Sequence, residues 1–89
     1  MKNKLLDIES LYQSCLSGHP NISTNSDLLC GVPHINGTTI EISEILNRLY
    51  VHTNIREVVK YYGDVTEEQV KDALAYAARF IELASNNRV

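Results

Sequence analysis

In the middle of the chain stands the stretch Val32-Pro33-His34-Ile35-Asn36-Gly37-Thr38-Thr39-Ile40, in which an Asn-Gly pair separates two β-prone runs. A two-residue turn of this composition favours the positive φ angles that a type I′ hairpin requires at both central positions. The sequence therefore predicts a short β-ribbon that reverses at Asn36 and Gly37. A lone ribbon of this length is not stable in water. We expect it to lie on helices or to pair with a second chain.

Three helical segments follow the ribbon. The first has an apolar face at helical spacing. That face consists of Ile42, Ile45, Leu46, Leu49 and Tyr50. The second begins at Asn54, a residue that caps helices, and ends at Gly63. The third, over residues 66–85, opens with Thr66 and Gln69 at the spacing of a capping box. Because the connections are short, we predict a three-helix unit of the helix-turn-helix type.

The N-terminal part of the chain, residues 1–19, is predicted as a helix extension to a domain of residues 20–89. Apolar side chains recur there at helical spacing, and Gly18 followed by Pro20 is typical of a helix end. This helix either covers the small core or serves as a partner-binding arm. The fold class that follows is α+β, mostly α: an N-terminal helix, a β-ribbon and three helices.

The composition is that of one small soluble domain. Of the 89 residues, 44% are hydrophobic and 21% are charged, which are ordinary values for a globular protein. No run approaches the roughly 18 consecutive apolar residues of a membrane span. Asp7 and Glu9 interrupt the apolar part of the N-terminus, so we expect no signal peptide. We therefore predict a cytoplasmic protein with Cys15 and Cys30 as free thiols.

Two stretches of the chain together carry a family pattern. Gly31–Ile42 reads Gly-Val-Pro-His-Ile-Asn-Gly-Thr-Thr-Ile-Glu-Ile, and Val65–Ala78 reads Val-Thr-Glu-Glu-Gln-Val-Lys-Asp-Ala-Leu-Ala-Tyr-Ala-Ala. They resemble Gly-x-Pro-x-Ile-x-Gly-Thr-Arg-Ile-Pro-Val and Leu-Thr-x-Glu-Asp-Val-x-x-Ala-Leu-x-Tyr-Ala-Ala of the bacterial domain-of-unknown-function family 433. The resemblance extends over about residues 22–78. It implies a β-ribbon with a helix-turn-helix, and a VapB-like antitoxin that binds a PIN-like ribonuclease.

The ribbon departs from this family pattern in its charges. Val32, Asn36 and Thr39 stand where the family has basic residues, and Glu41 stands where it has a proline. Three positive charges are therefore absent, and one negative charge has been added. A ribbon of this composition lacks the means to approach phosphates.

DNA binding by a dimeric helix-turn-helix repressor is the alternative function. The basic side chains best placed for it are Arg56, Lys60 and Lys71. However, the third predicted helix would be the recognition helix, and it begins with Glu67 and Glu68. Eight basic and eleven acidic residues give a formal net charge of −3, so the chain lacks the positive footprint of a nucleic-acid-binding protein.

Protein binding is the preferred function. The predicted core stripe of the third helix consists of Val70, Ala73, Leu74, Ala77, Ile81 and Ala84. Tyr76 and Phe80 lie four residues apart on the opposite face, with Arg79 beside them. Aromatic and arginine side chains are enriched at protein interfaces, and an acidic protein complements a basic ribonuclease. The alternative for the two aromatic residues is packing under the N-terminal helix of the same chain. We predict a non-catalytic, antitoxin-like homodimer that pairs through its ribbon edge; an uncharacterised interaction module is a further alternative.

No sequence pattern predicts catalysis or a bound cofactor. The chain has no Gly-rich phosphate loop, no Gly-x-Ser-x-Gly and no His-Glu-x-x-His. Cys15 and His19 have the same spacing as Cys30 and His34, but zinc sites usually place two cysteines together and two histidines together. We therefore predict a protein that is not an enzyme and has no metal site.

Overall fold

Four α-helices and one short antiparallel ribbon make up the part of the chain that the computed structural model describes, residues 8–25, 27 and 29–86. In chain order they are α1 (Ile8–Ser14), β1 (Ile22–Ser23), a 3-10 turn (Leu29–Gly31), β2 (His34–Ile35), α2 (Ile42–His52), α3 (Ile55–Tyr62) and α4 (Glu67–Asn86). This confirms the predicted α+β, mostly α class. The predicted start of the N-terminal helix, before residue 8, lies outside the described residues.

The two-residue ladder of the ribbon joins β2 to β1, whereas the segment after the Asn-Gly turn pairs with β2 only through an antiparallel bridge between His34 and Glu41. β1 and β2 run antiparallel, with Ile22 opposite Ile35. The predicted second strand, residues 38–40, is not a strand of its own: the Ile35 N–H donates to the Ile40 carbonyl at 2.9 Å, and just beyond it the Ile42 N–H donates to the Pro33 carbonyl at 3.0 Å. Ile22 and Ile35 are both buried in the core. Pairing β2 with β1 therefore brings two buried apolar side chains side by side in the core.

The turn at Asn36 and Gly37 is also of a different type from the predicted one. Gly37 has a φ of 83°, whereas Asn36 is not among the residues with positive φ, as in a type II rather than a type I′ turn. The Thr38 hydroxyl donates to the Ile35 carbonyl at 2.9 Å and accepts from the Ile40 N–H at 3.0 Å. These local side-chain bonds compete with strand pairing, and across the turn the ladder is limited to the bridge between His34 and Glu41.

Capping residues set the starts of α3 and α4, as predicted. The Asn54 side chain accepts hydrogen bonds from the first-turn N–H groups of Arg56 (2.8 Å) and Glu57 (3.3 Å). Thr66 and Gln69 form a reciprocal capping box: the Thr66 N–H donates to Gln69 Oε1 at 2.8 Å, and the Gln69 N–H donates to Thr66 Oγ1 at 3.1 Å. Both caps satisfy N–H groups that have no partner inside the helix.

The core lies between the ribbon and the helices. α2, α3 and α4 pack on one another, and α1 packs on α4. Side chains from the ribbon, from α2, α3 and α4 and from the loops between elements form one buried cluster. It consists of Cys15, Ile22, Ile35, Ile42, Ile45, Val58, Val65, Val70, Ala73 and Tyr76. Among the described helices, none combines the length and the apolar character needed to cross a bilayer.

Candidate functional site

The two aromatic residues predicted for partner binding lie against α1 of the same chain. Tyr76 is only 2% exposed, and its hydroxyl donates a hydrogen bond to the backbone carbonyl of Tyr12 at 3.0 Å. The rings of Phe80 and Tyr12 are tilted against each other with their centroids 5.4 Å apart. The packing alternative therefore applies to Tyr76, which contacts no partner while α1 stays in place. Phe80 is partly buried and keeps an accessible edge.

The buried face of α4 includes Val70 and Ala73 of the predicted core stripe but differs from the sequence prediction at two positions farther along the helix. Ile81 was expected in the core, yet it is 62% exposed, whereas Tyr76 was expected on the opposite face and is a core residue. The physical reason is that α1 covers a second face of α4. Periodicity within one helix does not reveal such a cover, because the covering residues are distant in sequence.

Burial keeps two titratable groups neutral, Tyr76 beneath α1 and Cys15 directly after α1. Burial raises the pKa of the Tyr76 hydroxyl well above its usual range, so the group keeps the proton that it donates to Tyr12. Burial also raises the pKa of the Cys15 thiol, an effect that the positive charge of Arg79 partly offsets. A buried thiol with a raised pKa is a poor nucleophile. Cys15 therefore acts here as a small apolar core residue.

A polar contact attaches the segment after α1 to the first half of α4. His19 Nδ1 lies 2.6 Å from Asp72 Oδ1, and Asp72 Oδ2 accepts a hydrogen bond from the Asn21 N–H at 3.1 Å. The His19 ring also meets the Tyr76 ring edge-on, with centroids 5.9 Å apart. Both carboxylate oxygens of Asp72 thus have partners from the N-terminal segment. Sequence reasoning missed this contact, because 53 positions separate the two side chains.

An apolar groove of about 250 Å³ opens between α1, α2 and α4, and we call it the α2–α4 groove. Tyr12, Pro33, Leu46, Phe80 and Ile81 are among its lining residues. Leu46 is 36% exposed and Ile81 is 62% exposed. Exposed apolar side chains that gather around a concavity are typical of a binding surface. The groove brings predicted contact residue Phe80 together with two residues that the sequence had placed in the core.

Arg79 and the basic residues predicted for DNA contacts are exposed and dispersed. Arg79 Nη1 lies 3.9 Å from a carboxylate oxygen of Glu82, one turn farther along α4. Arg56 Nε lies 3.6 Å from Glu67 Oε2, and Lys60 Nζ lies 4.0 Å from a carboxylate oxygen one turn earlier in α3. Exposed pairs of this kind contribute little to stability. They do, however, place a negative charge beside each of these three cations.

A second exposed aromatic group lies where α2 meets α3. The Arg48 guanidinium stands 4.4 Å from the centroid of the Tyr61 ring, a cation–π distance. His52 and Tyr62 flank the same ring, with centroids 5.7 and 4.9 Å away. The sequence analysis did not predict this cluster. It does not join the α2–α4 groove, since none of these residues lines that groove.

The histidines and cysteines do not form a metal site within the described part of the chain. No group of three or more His, Cys, Asp or Glu side chains there could hold a metal ion. Cys15 is a buried free thiol, and Cys30 is an exposed one. His34 is fully buried, with Nδ1 2.7 Å from the Val32 carbonyl.

Comparison with known proteins identifies the family of the chain. No curated protein and no solved structure gives a match. The family model described as "Protein of unknown function (DUF433)" matches residues 22–77. The match runs from β1 into the first half of α4 and does not include α1. Because it covers more than half of the 89 residues, the chain belongs to the DUF433 family.

Proposed function

We propose that the protein is a cytoplasmic, non-catalytic, antitoxin-like binding protein whose partner is a PIN-like ribonuclease. The observation that carries the proposal is the α2–α4 groove, where Leu46 and Ile81 expose apolar side chains beside Phe80. Apolar and aromatic residues form the dehydrated centre of protein interfaces. The resemblance of the family to VapB-like antitoxins supplies the class of partner.

The exposed part of the groove is large enough to matter for binding. Fully burying an aliphatic side chain contributes about 1.5–3 kcal/mol. Because Ile81 is 62% exposed, a partner that covers it gains about 1–2 kcal/mol from this residue alone. Leu46 adds a smaller amount in the same place. Two such residues around a concavity fit the pattern of a few side chains that dominate binding.

The charge of the chain supports a protein partner rather than DNA. The formal net charge of −3 favours association with a basic ribonuclease, chiefly through the rate of encounter. The leading end of α4 exposes Glu67 and Glu68, where a recognition helix would approach phosphates. DNA binding through α4 would therefore bring like charges together.

Co-expression with the product of the adjacent gene tests the proposal. We expect a stable complex with a PIN-like ribonuclease and inhibition of its RNA cleavage. Within that complex, Ile81→Glu should weaken binding at least tenfold, because it buries a carboxylate in the groove. Val51→Glu is the matched control, since Val51 is similarly exposed at 55% and does not line the groove.

Two outcomes would reject the proposal. One is an adjacent gene product that is no nuclease, with no complex formed. The other is a complex whose affinity changes equally with Ile81→Glu and with Val51→Glu. That result would show that the groove is not part of the interface. The homodimer is a separate proposal: light scattering should give about twice 10.0 kDa, and a monomer at high concentration would contradict it.

A further inference from the structure

One face of α4 is covered by a segment that the family match does not include. The match begins at residue 22, so α1 and the chain up to Asn21 precede it. Asp72, Tyr76 and Phe80 follow one another at intervals of four residues and therefore share one face of α4. Each of the three contacts the N-terminal segment. We call them the Asp72–Tyr76–Phe80 face.

α1 lies on this face as a partner helix would. It runs antiparallel to α4, since Tyr12 meets Phe80 and Tyr76 while the later His19 meets Asp72. The Tyr12 carbonyl is in the last turn of α1, where carbonyls lack partners within the helix. The buried Tyr76 hydroxyl needs an acceptor, so each group satisfies the other.

The helix α1, which covers this face, is short and depends on its contact with α4. α1 has seven residues, and isolated helices below about 12–15 residues are marginal in water. Leu11 is its one buried side chain, Cys15 is a second just after its end, and Gln13 Nε2 donates a hydrogen bond to Thr24 Oγ1 at 2.9 Å. Segments held by so few contacts open at a lower free energy than the whole domain unfolds.

The covered face and the α2–α4 groove are continuous. Tyr12 and Phe80, whose rings pack together, also line the groove. A partner that occupies the groove beside Ile81 therefore meets the edge of α1. Moving α1 aside would extend the groove along α4 as far as Asp72.

We propose that α1 is a displaceable strap and that an amphipathic helix of the partner takes its place on the Asp72–Tyr76–Phe80 face. This inference rests on the proposed function, because the partner is the same ribonuclease. The contacts of α1 define the chemistry of the incoming helix. It carries apolar side chains four residues apart, leaves a last-turn carbonyl for Tyr76, and is followed by a basic side chain or N–H donors for Asp72. A basic ribonuclease can supply that side chain.

Cys15 is a built-in reporter of strap opening. It directly follows α1 in the N-terminal segment and is fully buried in the core, whereas Cys30 is exposed. In a Cys30→Ser chain, Cys15 is the only thiol, because the sequence has two cysteines. We expect the ribonuclease complex to increase the rate of Cys15 alkylation by iodoacetamide at least tenfold over the free protein. A rate that is unchanged or lower in the complex shows that α1 stays docked, and it overturns the inference.

A second measurement needs no ribonuclease. In the free Cys30→Ser chain, the alkylation of Cys15 should proceed through a local opening, faster than global unfolding allows and with little dependence on urea. The opening that exposes Cys15 could instead have the same free energy and the same urea dependence as global unfolding. In that case α1 is an integral part of the fold and no strap exists.

A variant that weakens the packing of α1 tests whether α1 is displaced by the ribonuclease or is itself part of the binding surface. Leu11→Ala removes an apolar anchor on α1 without changing α4, and Ser14→Ala is an exposed control on the same helix. Because more molecules are then open, Leu11→Ala should raise the affinity for the ribonuclease at least threefold, while Ser14→Ala leaves it unchanged. A lower affinity of Leu11→Ala overturns the inference. If Leu11→Ala does not fold, the two measurements of Cys15 alkylation in the Cys30→Ser chain, in the complex and in urea, test the inference instead.

A labelled peptide of residues 8–21 distinguishes failure of the inference from failure of the proposed function. We expect it to bind the Leu11→Ala protein and to bind the wild-type chain at least tenfold more weakly. Peptide binding without any ribonuclease complex means that the face accepts a helix but the proposed partner is wrong. Absence of peptide binding to Leu11→Ala means that the face does not accept a helix supplied in trans.

Discussion

Replacing Tyr76 by phenylalanine removes one hydroxyl group and leaves the ring in place. In the native chain this hydroxyl donates a hydrogen bond from α4 to the Tyr12 carbonyl of α1 at 3.0 Å. The substitution keeps the shape of the core and deletes that bond. The Tyr12 carbonyl then lacks its donor at the end of α1.

The expected loss of stability follows from these two changes. A typical intramolecular hydrogen bond contributes about 0.5–1.5 kcal/mol, and leaving a buried acceptor without a partner adds a penalty of similar size. Because water can reach the end of a short helix at the surface, we expect a total of about 1–2 kcal/mol in the free energy of unfolding. For a domain of this size, each kcal/mol lowers the Tm by about 4–8 °C.

Urea unfolding followed by circular dichroism measures this loss, and Tyr61→Phe is the control. Tyr61 is 53% exposed. Removing the hydroxyl of an exposed tyrosine costs little, so the free energy of unfolding of Tyr61→Phe should change by less than about 0.5 kcal/mol. In a Cys30→Ser background, Tyr76→Phe should also speed Cys15 alkylation by about 5–30-fold, the factor that corresponds to 1–2 kcal/mol. Equal stabilities of the two variants would refute the role assigned to this bond.

Three further predictions concern a cap, alkaline pH and DNA. Asn54→Ala removes the acceptor for two first-turn N–H groups of α3, so the free energy of unfolding in urea should fall by about 1 kcal/mol; no change would show that water replaces the cap. The pKa of Tyr76 is raised above the ordinary tyrosine value of 10.0. The folded state therefore holds this proton more tightly than the unfolded state does. The resulting stability is complete below pH 10 and falls as the pH rises further. The free energy of unfolding in urea, measured at pH 8 and above pH 10, should show this decline, and the decline should be shallower in Tyr76→Phe. Identical pH profiles of the two chains would contradict the role assigned to Tyr76. A band-shift with the promoter of its own gene at about 50 mM salt should show no salt-sensitive complex, because phosphate-driven affinity needs a positive face. A shift that disappears as salt rises would instead favour the repressor.

The sequence alone determined that the chain is mostly helical and where α3 and α4 begin. The Asn54 cap, the Thr66–Gln69 capping box and the helical spacing of apolar residues predicted α3 and α4 correctly. These signals are local, because a cap or a capping box joins groups within three or four positions of each other. The two family stretches around Gly31–Ile42 and Val65–Ala78 likewise predicted the family that the comparison shows.

Only the tertiary structure decided which strands pair and which face of α4 is buried. The Asn-Gly signal marked a real turn, but β2 pairs with β1 because that arrangement buries Ile22 against the core. In the same way, Tyr76 is buried and Ile81 is exposed because α1 covers one side of α4. The contact between His19 and Asp72 joins residues 53 positions apart, which no local spacing reveals. Burial depends on what packs against a residue from elsewhere in the chain, whereas a cap or a turn depends on its immediate neighbours.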